Sequence, residues 1–312
     1  MEHRSLGGSG LRVSEVGLGC NNFGASMDAD QVEAVVGRAL DEGVTFFDTA
    51  ESYSRGASEE LLGTALGSRR DEVVIATKFG ARSFKKTMAA GSRGNVIRAC
   101  EDSLRRLGTD HIDLLYLHRP DPETPVEETL SALDDLVHQG KLRYAAESGF
   151  AGWQVADAEH VASSAGFERF VANQIEWNLL SRDVETEIVP ACRHFGVGIV
   201  PYFPLASGLL TGKYRRGVEP PEGTRLAGGS YFSRVLTEEN FDKVERLTAF
   251  AESNGRTILE LAVGWLLSQD GVASVIAGAT SPEQLVANIE AATWHLSADE
   301  LATVDEALVS PS

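Results

Sequence analysis

The sequence has little that would support a disulfide-stapled or membrane-spanning protein. Its 312 residues include three cysteines, Cys20, Cys100 and Cys192, whose odd number and wide separation indicate neither a disulfide framework nor a zinc ribbon. No stretch approaches the roughly 18 apolar residues of a membrane span, and residues 1–10 lack the apolar segment of a secretion signal. We therefore predict a cytoplasmic protein that is not bound to a membrane.

Positively charged residues are also scarce. The chain has 28 Lys and Arg residues against 46 Asp and Glu residues, a formal net charge of −18 at pH 7. This balance argues against general binding of nucleic acid or of anionic membranes, and it requires any anionic ligand to meet a local basic patch. The seven histidines show no metal-binding spacing, so we predict no metal site. Residues 17–22 lack the third glycine of a dinucleotide fingerprint, so that motif gives no support for a Rossmann fold.

What the sequence does contain is a regular alternation of short apolar runs with helical patterns. Eight runs have the length and composition of strands: 15–18, 44–47, 73–77, 113–117, 142–146, 170–174, 198–200 and 274–276. Between them apolar residues recur at helical spacing, as at Val32, Val35, Val36 and Leu40. Repeated βα units of this kind predict an α/β protein, a single (β/α)8 TIM barrel domain over residues 1–312, with an open doubly wound sheet as the alternative.

Two segments depart from this alternation. Near the N-terminus, residues 3–6 and 11–13 flank a glycine-rich turn at 7–10, which predicts a β-hairpin that closes the bottom of the barrel. Residues 213–234 form the longest irregular stretch and are rich in Gly, Pro, Arg and Ser. Because a loop of that length in a compact domain is usually functional or mobile, we expect long loops at the C-terminal face of the barrel.

Three of the strand-like runs end on side chains that can transfer protons. The second run leads to Asp48, with Tyr53 shortly after it, the third leads to Lys78, and the fourth leads to His118. Because the C-terminal ends of barrel strands share one face, these side chains are expected to converge. A nearby ammonium lowers the pKa of a phenol, and a carboxylate keeps a buried ammonium charged. Lys78 and Asp48 would therefore prepare Tyr53 to protonate a carbonyl oxygen while a hydride reaches its carbon.

Each of these residues also has a simpler interpretation. Asp48 would serve as a helix cap or loop carboxylate, Tyr53 as a surface aromatic residue and Lys78 as a solvated charge. His118 would be a loop histidine with its hydrogen bonds satisfied. Together the four carry more weight than singly, because ion-pair networks with a purely structural purpose seldom include a phenol. We therefore take all four as candidate catalytic residues.

Several segments, in this order along the chain, resemble the aldo-keto reductases. They are residues 46–50 with Tyr53, 58–63, 75–78, 113–118, 173–174, and 278–285 with Asn288, and the resemblance extends over roughly residues 3–295. It implies a (β/α)8 barrel and a nicotinamide cofactor that lies extended across the C-terminal face. It also implies a catalytic tetrad in which Tyr53 is the general acid and the other members are Asp48, Lys78 and His118.

The same resemblance implies contacts with the nicotinamide half of the cofactor. Ser148 and Gln174 match positions that bind the carboxamide, and Tyr202 matches the aromatic residue that stacks on the nicotinamide ring. Asp48 doubles as a ribose contact. Three further positions are assigned to the cofactor site through the resemblance: Cys20, Asn21 and Leu205.

At the other half of the cofactor, the resemblance is to the potassium-channel β-subunit branch of the family. Lys213 and Arg225 look like the basic residues that bind phosphates there, although ordinary solvated loop charges are the alternative for both. Thr280, Gln284 and Asn288 look like ligands of the adenosine end. Two cations in so acidic a chain suit a pyrophosphate and a 2′-phosphate, so we expect NADP, as NADPH, rather than NADH.

Three positions depart from the family pattern. Gly149 stands where a side-chain amide is usual, Glu147 where a small residue is usual, and Trp177 where tyrosine is common. If Glu147 points into the barrel, it would hold a cationic or amine-bearing substrate or raise the pKa of Tyr53. If it points outward, it is only a solvated acid. Our hypothesis is that Glu147 alters substrate choice or activity.

The first functional hypothesis is an oxidoreductase that uses NADPH to reduce an aldehyde or ketone, a small-molecule carbonyl substrate, to an alcohol. The rival hypothesis is a nucleotide-binding regulatory subunit, like the channel β subunits, in which turnover is incidental. A third keeps the enzyme but changes its direction or substrate, to sugar, polyol or imine chemistry. The oligomeric state stays open.

Overall fold

The computed structural model describes residues 1–81, 87–227 and 231–308. Two short strands, β1 (His3–Ser5) and β2 (Arg12–Ser14), precede eight parallel strands. These are β3 (Val16–Gly19), β4 (Phe46–Asp48), β5 (Val74–Phe79), β6 (Ile112–Leu117), β7 (Leu142–Ser148), β8 (Phe170–Glu176), β9 (Gly198–Tyr202) and β10 (Val275–Gly278). The order in the sheet is β10-β3-β4-β5-β6-β7-β8-β9, so the eight predicted strands are all confirmed.

Main-chain hydrogen bonds join the two ends of this sheet. The amide of Ile199 in β9 donates to the Gly271 carbonyl at 2.9 Å, and the amide of Ala273, just before β10, donates to the Ile199 carbonyl at 3.0 Å. The sheet therefore closes on itself. The predicted (β/α)8 barrel is confirmed, and the open doubly wound alternative is wrong.

Helices occupy the intervals between the barrel strands, and two more follow β10. They are α1 (Ala29–Asp41), α2 (Ala57–Leu66), α3 (Arg93–Leu107), α4 (Val126–His138), α5 (Gly152–Ala165), α6 (Ile188–Phe195), α7 (Glu238–Ser253), α8 (Ile258–Leu267), α9 (Pro282–Glu290) and α10 (Ala298–Leu308). Local sequence explains where several begin, since the Asp28 side chain accepts from the Gln31 amide at 3.0 Å and thereby caps α1. Across the described ranges, no helix is both long and apolar enough to cross a membrane.

The predicted N-terminal hairpin closes the bottom of the barrel. Strands β1 and β2 pair antiparallel, and the flanking residues Leu6 and Val13 are fully buried in the apolar cluster that fills the barrel interior. Gly7, in the turn, has a φ of +57°, and a Cβ there would come within 2.5 Å of the Gly198 nitrogen. Only glycine allows this close approach, which seats the hairpin against β9.

Two apolar regions follow from the alternation of side chains along each strand. Inward-pointing residues such as Phe46, Ala146 and Val200 fill the barrel. Outward-pointing residues such as Phe47 and Ala145 belong to the larger cluster between the strands and the helices. We call this outer region the helix layer. The direction of a strand residue therefore decides which of the two environments it enters.

The longest connection runs from β9 to α7 and spans residues 203–237. It contains short 3₁₀ turns at Ala206–Thr211 and Tyr231–Val235. Of the predicted irregular stretch 213–234, residues 228–230 lie outside the described residues. Because this loop follows the C-terminal end of β9, it lies at the barrel face where the candidate site residues are found.

Candidate active site

Asp48, Lys78 and Tyr53 meet at the C-terminal ends of β4 and β5. The Lys78 Nζ lies 2.5 Å from the Asp48 Oδ2 and 3.3 Å from the Tyr53 hydroxyl oxygen. It also donates to the Thr49 carbonyl at 2.9 Å. Asp48 is 2% exposed and Lys78 is fully buried. The three N–H donors of the ammonium therefore have three oxygen partners, which fixes its position beside the phenol.

Burial acts in opposite directions on the pKa values of Lys78 and Tyr53, the two titrating groups beside Asp48. Burial opposes the charge of Lys78, but the Asp48 carboxylate and the hydrogen bonds outweigh it, so the pKa of Lys78 is raised. The pKa of Tyr53 is also raised, chiefly by burial, although Lys78 acts to lower it. The expectation that Lys78 makes Tyr53 unusually acidic is therefore wrong, because desolvation of the phenolate exceeds the attraction of the ammonium. Tyr53 is a neutral phenol at pH 7, the form that can donate a proton.

His118 follows β6 directly and faces the same cluster. Its ring meets the Tyr53 ring edge-on, with centroids 6.0 Å apart and planes at 83°. Burial, together with the charges of Lys78 and Arg119, lowers the pKa of His118 to about 3, so the imidazole is neutral at pH 7. Its buried Nδ1 has no hydrogen-bond partner among the residues that the structure describes. A neutral ring beside the phenol is suited to orienting a carbonyl oxygen.

Gln174 connects this cluster to the opposite side of the barrel. Its Nε2 donates to the Asp48 Oδ1 at 2.8 Å. Its main-chain carbonyl accepts from the Ser148 hydroxyl at 3.0 Å and from the Gly149 amide at 2.9 Å. The structure therefore brings the two expected carboxamide contacts, Ser148 on β7 and Gln174 on β8, together.

Tyr202 ends β9 beside a strained loop. Its ring packs edge-on against that of Phe203, with centroids 5.2 Å apart. Phe203, Ala206 and Ser207 have φ values of 52°, 44° and 59°, which side chains with a Cβ rarely adopt. Leu205 lies within this segment, partly buried against the apolar core. Backbone strain of this kind clusters at functional sites.

The expected adenosine-end residues gather after β10. Thr280 donates from both its amide and its hydroxyl to the Gln284 Oε1, each at 3.0 Å. The Asn288 Nδ2 donates to the Gly278 carbonyl at 3.3 Å. Gly278 also adjoins Asn21, since a Cβ on Gly278 would lie 3.6 Å from the Asn21 Oδ1. Because β10 and β3 are neighbours, all of these side chains occupy one part of the barrel face.

The remaining expected cofactor contacts have different surroundings. Arg225 joins the adenosine end, with its Nη2 3.4 Å from the Asn22 Oδ1. Lys213 stays at the surface, with its Nζ 5.2 Å from the centre of the Tyr214 ring. Cys20 is fully buried in the helix layer. Its main-chain amide donates to the Asp48 carbonyl at 2.8 Å, and the charges of Asp48 and Lys78 affect the pKa of its thiol, so Cys20 lies beside the catalytic cluster.

The candidate residues divide the barrel face into two arcs. Those assigned to catalysis stand at β4, β5 and β6. Those assigned to the cofactor stand at or just after β7, β8, β9, β10 and β3, which are consecutive around the sheet. A continuous arc of five strand ends suits an extended dinucleotide, with Asp48 at the junction of the two arcs.

Glu147 lies outside both arcs. Ala146 faces the barrel interior, so the alternation along β7 turns Glu147 outward into the helix layer, as it does Ala145. Both sequence-based interpretations are wrong. The side chain does not face a substrate or Tyr53, and at 1% exposure it is not a solvated acid. Burial, and to a lesser extent Glu159, raises the pKa of Glu147 well above its ordinary value.

The other two departures from the family pattern have local structural reasons. Gly149 has a φ of +68°, a conformation that favours glycine. Trp177 is 1% exposed, its Nε1 donates to the Glu185 Oε1 at 2.9 Å, and its ring packs against Trp265 with centroids 5.6 Å apart. Trp177 is therefore a packing residue.

Sequence reasoning missed three features of the site. The Thr49 carbonyl holds Lys78, and no side-chain pattern reveals a main-chain acceptor. Tyr116 is the register partner of Lys78, and its ring centre lies 5.9 Å from the Lys78 Nζ. The sequence signal for it was that Tyr116 lies two residues before His118, a spacing that puts both side chains on one face of the strand. Ser54 and Arg55, directly after the candidate tyrosine, have φ values of 48° and 57°.

A (β/α)8 barrel with a buried acid, an ammonium and a phenol at its C-terminal face has the fold and the side chains that proton-transferring barrel enzymes use. Comparison with known proteins is more specific. A model of the Aldo/keto reductase family matches residues 15–309. The chain therefore belongs to the aldo/keto reductase family and is an oxidoreductase.

Individual relatives cover nearly the whole chain. A protein of Oryza sativa subsp. japonica named "Probable voltage-gated potassium channel subunit beta" is 38% identical over 299 residues, which are 93% of this chain and 91% of the rice protein. A Schizosaccharomyces pombe protein named "Putative voltage-gated potassium channel subunit beta" is 37% identical over 320 residues, 98% of this chain and 92% of that protein. "Probable aldo-keto reductase 1" of Glycine max is 38% identical over 312 residues, 97% of this chain and 88% of the soybean protein.

Proposed function

We propose that this protein is a cytoplasmic, single-domain reductase that uses NADPH to convert a small aldehyde or ketone to an alcohol. The observation that carries the proposal is the position of the Tyr53 hydroxyl, 3.3 Å from a Lys78 ammonium that is itself held 2.5 Å from Asp48. A phenol placed against a buried, charge-balanced ammonium is a proton donor whose conjugate base is stabilised where it forms.

Tyr53 acts as the general acid in this proposal. Its raised pKa keeps the proton on the phenol until a carbonyl oxygen begins to acquire negative charge. Lys78 then stabilises the phenolate that the transfer leaves behind, and Asp48 keeps Lys78 charged. A bound reduced nicotinamide would supply the hydride.

His118 orients the substrate in the same proposal. With a pKa of about 3, the imidazole is neutral and does not compete with Tyr53 as an acid at physiological pH. A neutral imidazole can donate one hydrogen bond to the carbonyl oxygen. The ring contact with Tyr53 keeps the two groups beside each other in the site.

The arc from β7 to β3 fits the cofactor. Ser148 and Gln174 would hold the carboxamide, Tyr202 would stack on the nicotinamide ring, and Thr280 with its neighbours would hold the adenosine end. Arg225 lies at this end, and Lys213 lies on the loop that leads to it. Arg and Lys side chains bind phosphates in many proteins. In a chain of net charge −18, two such residues in this loop favour NADPH, which carries an additional 2′-phosphate, over NADH.

A second candidate function is that of a nucleotide-binding regulatory subunit with incidental reductase activity. It is favoured by the names of the rice and fission-yeast relatives, each called a potassium channel subunit beta. The same Asp48, Lys78 and Tyr53 cluster would be present in either case, so the two functions differ in rate and not in the chemistry of the site.

Fluorescence titration with NADPH and NADH, followed by NADPH oxidation with a panel of small aldehydes and ketones, tests the proposal. We expect tighter binding of NADPH and turnover above about 1 s⁻¹ with at least one carbonyl, within the usual enzyme range. Tight NADPH binding with turnover far below that rate on every substrate would favour the regulatory subunit. Failure to bind either nucleotide would contradict both functions.

A further inference from the structure

Glu147 is a buried acid in an apolar setting. It faces the helix layer from β7, and its register partners are Leu117 on β6 and Asn173 on β8. Glu147 is 1% exposed, and Asn173 is fully buried. Both influence the pKa of the Cys192 thiol on α6, Glu147 by charge repulsion and Asn173 by a hydrogen bond, so the three side chains share one pocket.

Three oxygen atoms in this pocket lack hydrogen bonds. Within the described part of the chain, neither carboxyl oxygen of Glu147 has a partner, and the same is true of the Asn173 Oδ1. A buried carboxylate facing an amide oxygen would be doubly unfavourable, because both are acceptors and both have lost water. A proton on the Glu147 carboxyl removes the conflict, since a protonated acid is a donor. One proton would thus satisfy an atom on each residue.

We propose that Glu147, as a neutral carboxylic acid, donates a hydrogen bond to the Asn173 Oδ1 and thereby positions the carboxamide end of the cofactor site. This inference rests on the proposed function for its link to the cofactor. Glu147 is a positioning residue in it, because the side chain faces away from the barrel interior and acts through Asn173.

The path from Asn173 to the cofactor site is a short series of hydrogen bonds. The Asn173 Nδ2 donates to the Phe150 carbonyl at 3.1 Å. The next residue, Gln174, accepts at its carbonyl from the Gly149 amide and the Ser148 hydroxyl. Residues 148–150 are therefore held to β8 by two consecutive residues. If Glu147 ionised, it would repel the Asn173 Oδ1 and loosen one of these two attachments.

The groups that face Glu147 leave it as the titrating residue of the pocket. Helix α5 contributes Glu159, which is ion-paired with Arg169 at 2.9 Å and acts to raise the pKa of Glu147. Helix α6 contributes Cys192, whose pKa burial raises to about 12, so it stays a thiol at moderately alkaline pH. Leu117 and Asn173, on the neighbouring strands, do not titrate.

The test is the Kd for NADPH between about pH 6 and about pH 10, measured for the wild type and two variants. Glu147→Gln keeps a donor for Asn173 but cannot ionise. We expect wild-type affinity to fall about tenfold toward the alkaline end, the effect of one lost buried hydrogen bond, and Glu147→Gln to show no such fall. Glu147→Val, which has no donor, should bind NADPH at every pH about tenfold more weakly than the wild type does near pH 6, and should match the wild type at the alkaline end. Cys192→Ala, a control that makes a cavity in the same pocket but leaves Glu147 in place, should keep the wild-type dependence of the Kd on pH.

Two results would overturn the inference. One is an identical pH dependence of the Kd in the wild type and Glu147→Gln, which would assign the titration to another group. The other is a Kd for Glu147→Val near pH 6 that equals that of the wild type. Unfolding measurements on the nucleotide-free protein distinguish these two results from failure of the proposed function, because they do not depend on cofactor binding. If no nucleotide binds the wild type, the proposed function fails, and a pH-independent stability difference between the wild type and Glu147→Gln would then overturn the protonated carboxyl as well.

Discussion

Asp48 and Glu147 are two carboxyl groups buried to almost the same extent, 2% and 1% exposed, in two different parts of the barrel. Asp48 faces the interior, where it lies against the Lys78 ammonium and the Gln174 amide. Glu147 faces the helix layer, where the neighbouring groups are an amide, a thiol and another acid. The difference between them is therefore one of partners and not of burial.

This contrast shows what makes a buried charge useful. Inside the barrel, the charge of Asp48 is balanced by Lys78, and together they prepare a site for Tyr53 to lose a proton. In the helix layer, no such balance is provided to Glu147 by its facing groups, and burial raises its pKa, which favours the neutral acid. The same functional group is thus an ion in one region and a hydrogen-bond donor in the other.

Removing the cation of the first region should have the largest effect. In Lys78→Met we expect carbonyl reduction to fall by about 10²–10⁴-fold, because the phenolate loses its stabilising ammonium. The free energy of unfolding should also fall by about 3–5 kcal/mol, since Asp48 becomes an unpaired buried charge. Steady-state kinetics and urea unfolding measure both. Lys141→Met, which removes a lysine paired with Glu101 at the surface, is the control and should change neither.

Neutralising each acid in turn should change stability in opposite directions. Asp48→Asn leaves Lys78 unpaired and should destabilise the fold by about 3–5 kcal/mol. Glu147→Gln should stabilise it. A folded-state pKa above the unfolded value means that the contribution of Glu147 is complete below about pH 4.5 and is lost as the pH rises toward the folded-state pKa. The stability advantage of Glu147→Gln over the wild type should therefore grow with pH in thermal unfolding curves. A Glu147→Gln protein that is less stable than the wild type at pH 8 would contradict the difference between the two acids.

Removing a cation that is expected to bind the cofactor should have a smaller effect than these changes. Arg225→Met should raise the Kd for NADPH about tenfold through loss of a charge-assisted hydrogen bond, with a smaller change for NADH. Arg38→Met, which removes an arginine paired with Glu42 on α1, is the matched control. Equal weakening of NADPH and NADH would mean that Arg225 does not distinguish the 2′-phosphate.

The smallest expected effect concerns His118 and Glu51, two groups near the site whose pKa values burial moves in opposite directions. The pKa of His118 is lowered to about 3, so its protonation should leave no step in the pH profile of kcat/KM above that value. Burial raises the pKa of Glu51 to about 7. A step near pH 7 should therefore disappear in Glu51→Gln, and one that persists there but disappears in His118→Gln would contradict the neutral imidazole.

The sequence predicted the barrel because buried parallel strands are recognisable as short apolar runs. It placed several strand ends too early. Strand β5 continues through Lys78 to Phe79, β7 through Ser148, and β8 to Glu176, because polar site residues remain in the ladder after the apolar run has ended. Main-chain hydrogen bonding does not depend on the polarity of the side chain, so an apolar pattern cannot mark these ends.

The candidate residues could be named from sequence, but their electrostatics could not. The direction of the Tyr53 pKa depends on how desolvation compares with the field of Lys78, which requires coordinates. The orientation of Glu147 depends on the alternation along β7, and a run with apolar residues on both faces does not reveal it. The strained φ values at 203, 206 and 207 have no signature in residue type.

The most direct test of the central claim, that Tyr53 beside the Lys78–Asp48 pair is the proton donor, is a single-turnover measurement on Tyr53→Phe with NADPH already bound. We predict an unchanged Kd for NADPH and a rate of NADPH oxidation by a reactive aldehyde that falls by about 10²–10⁴-fold. A Tyr53→Phe protein that reduces the aldehyde at the wild-type rate would contradict the account.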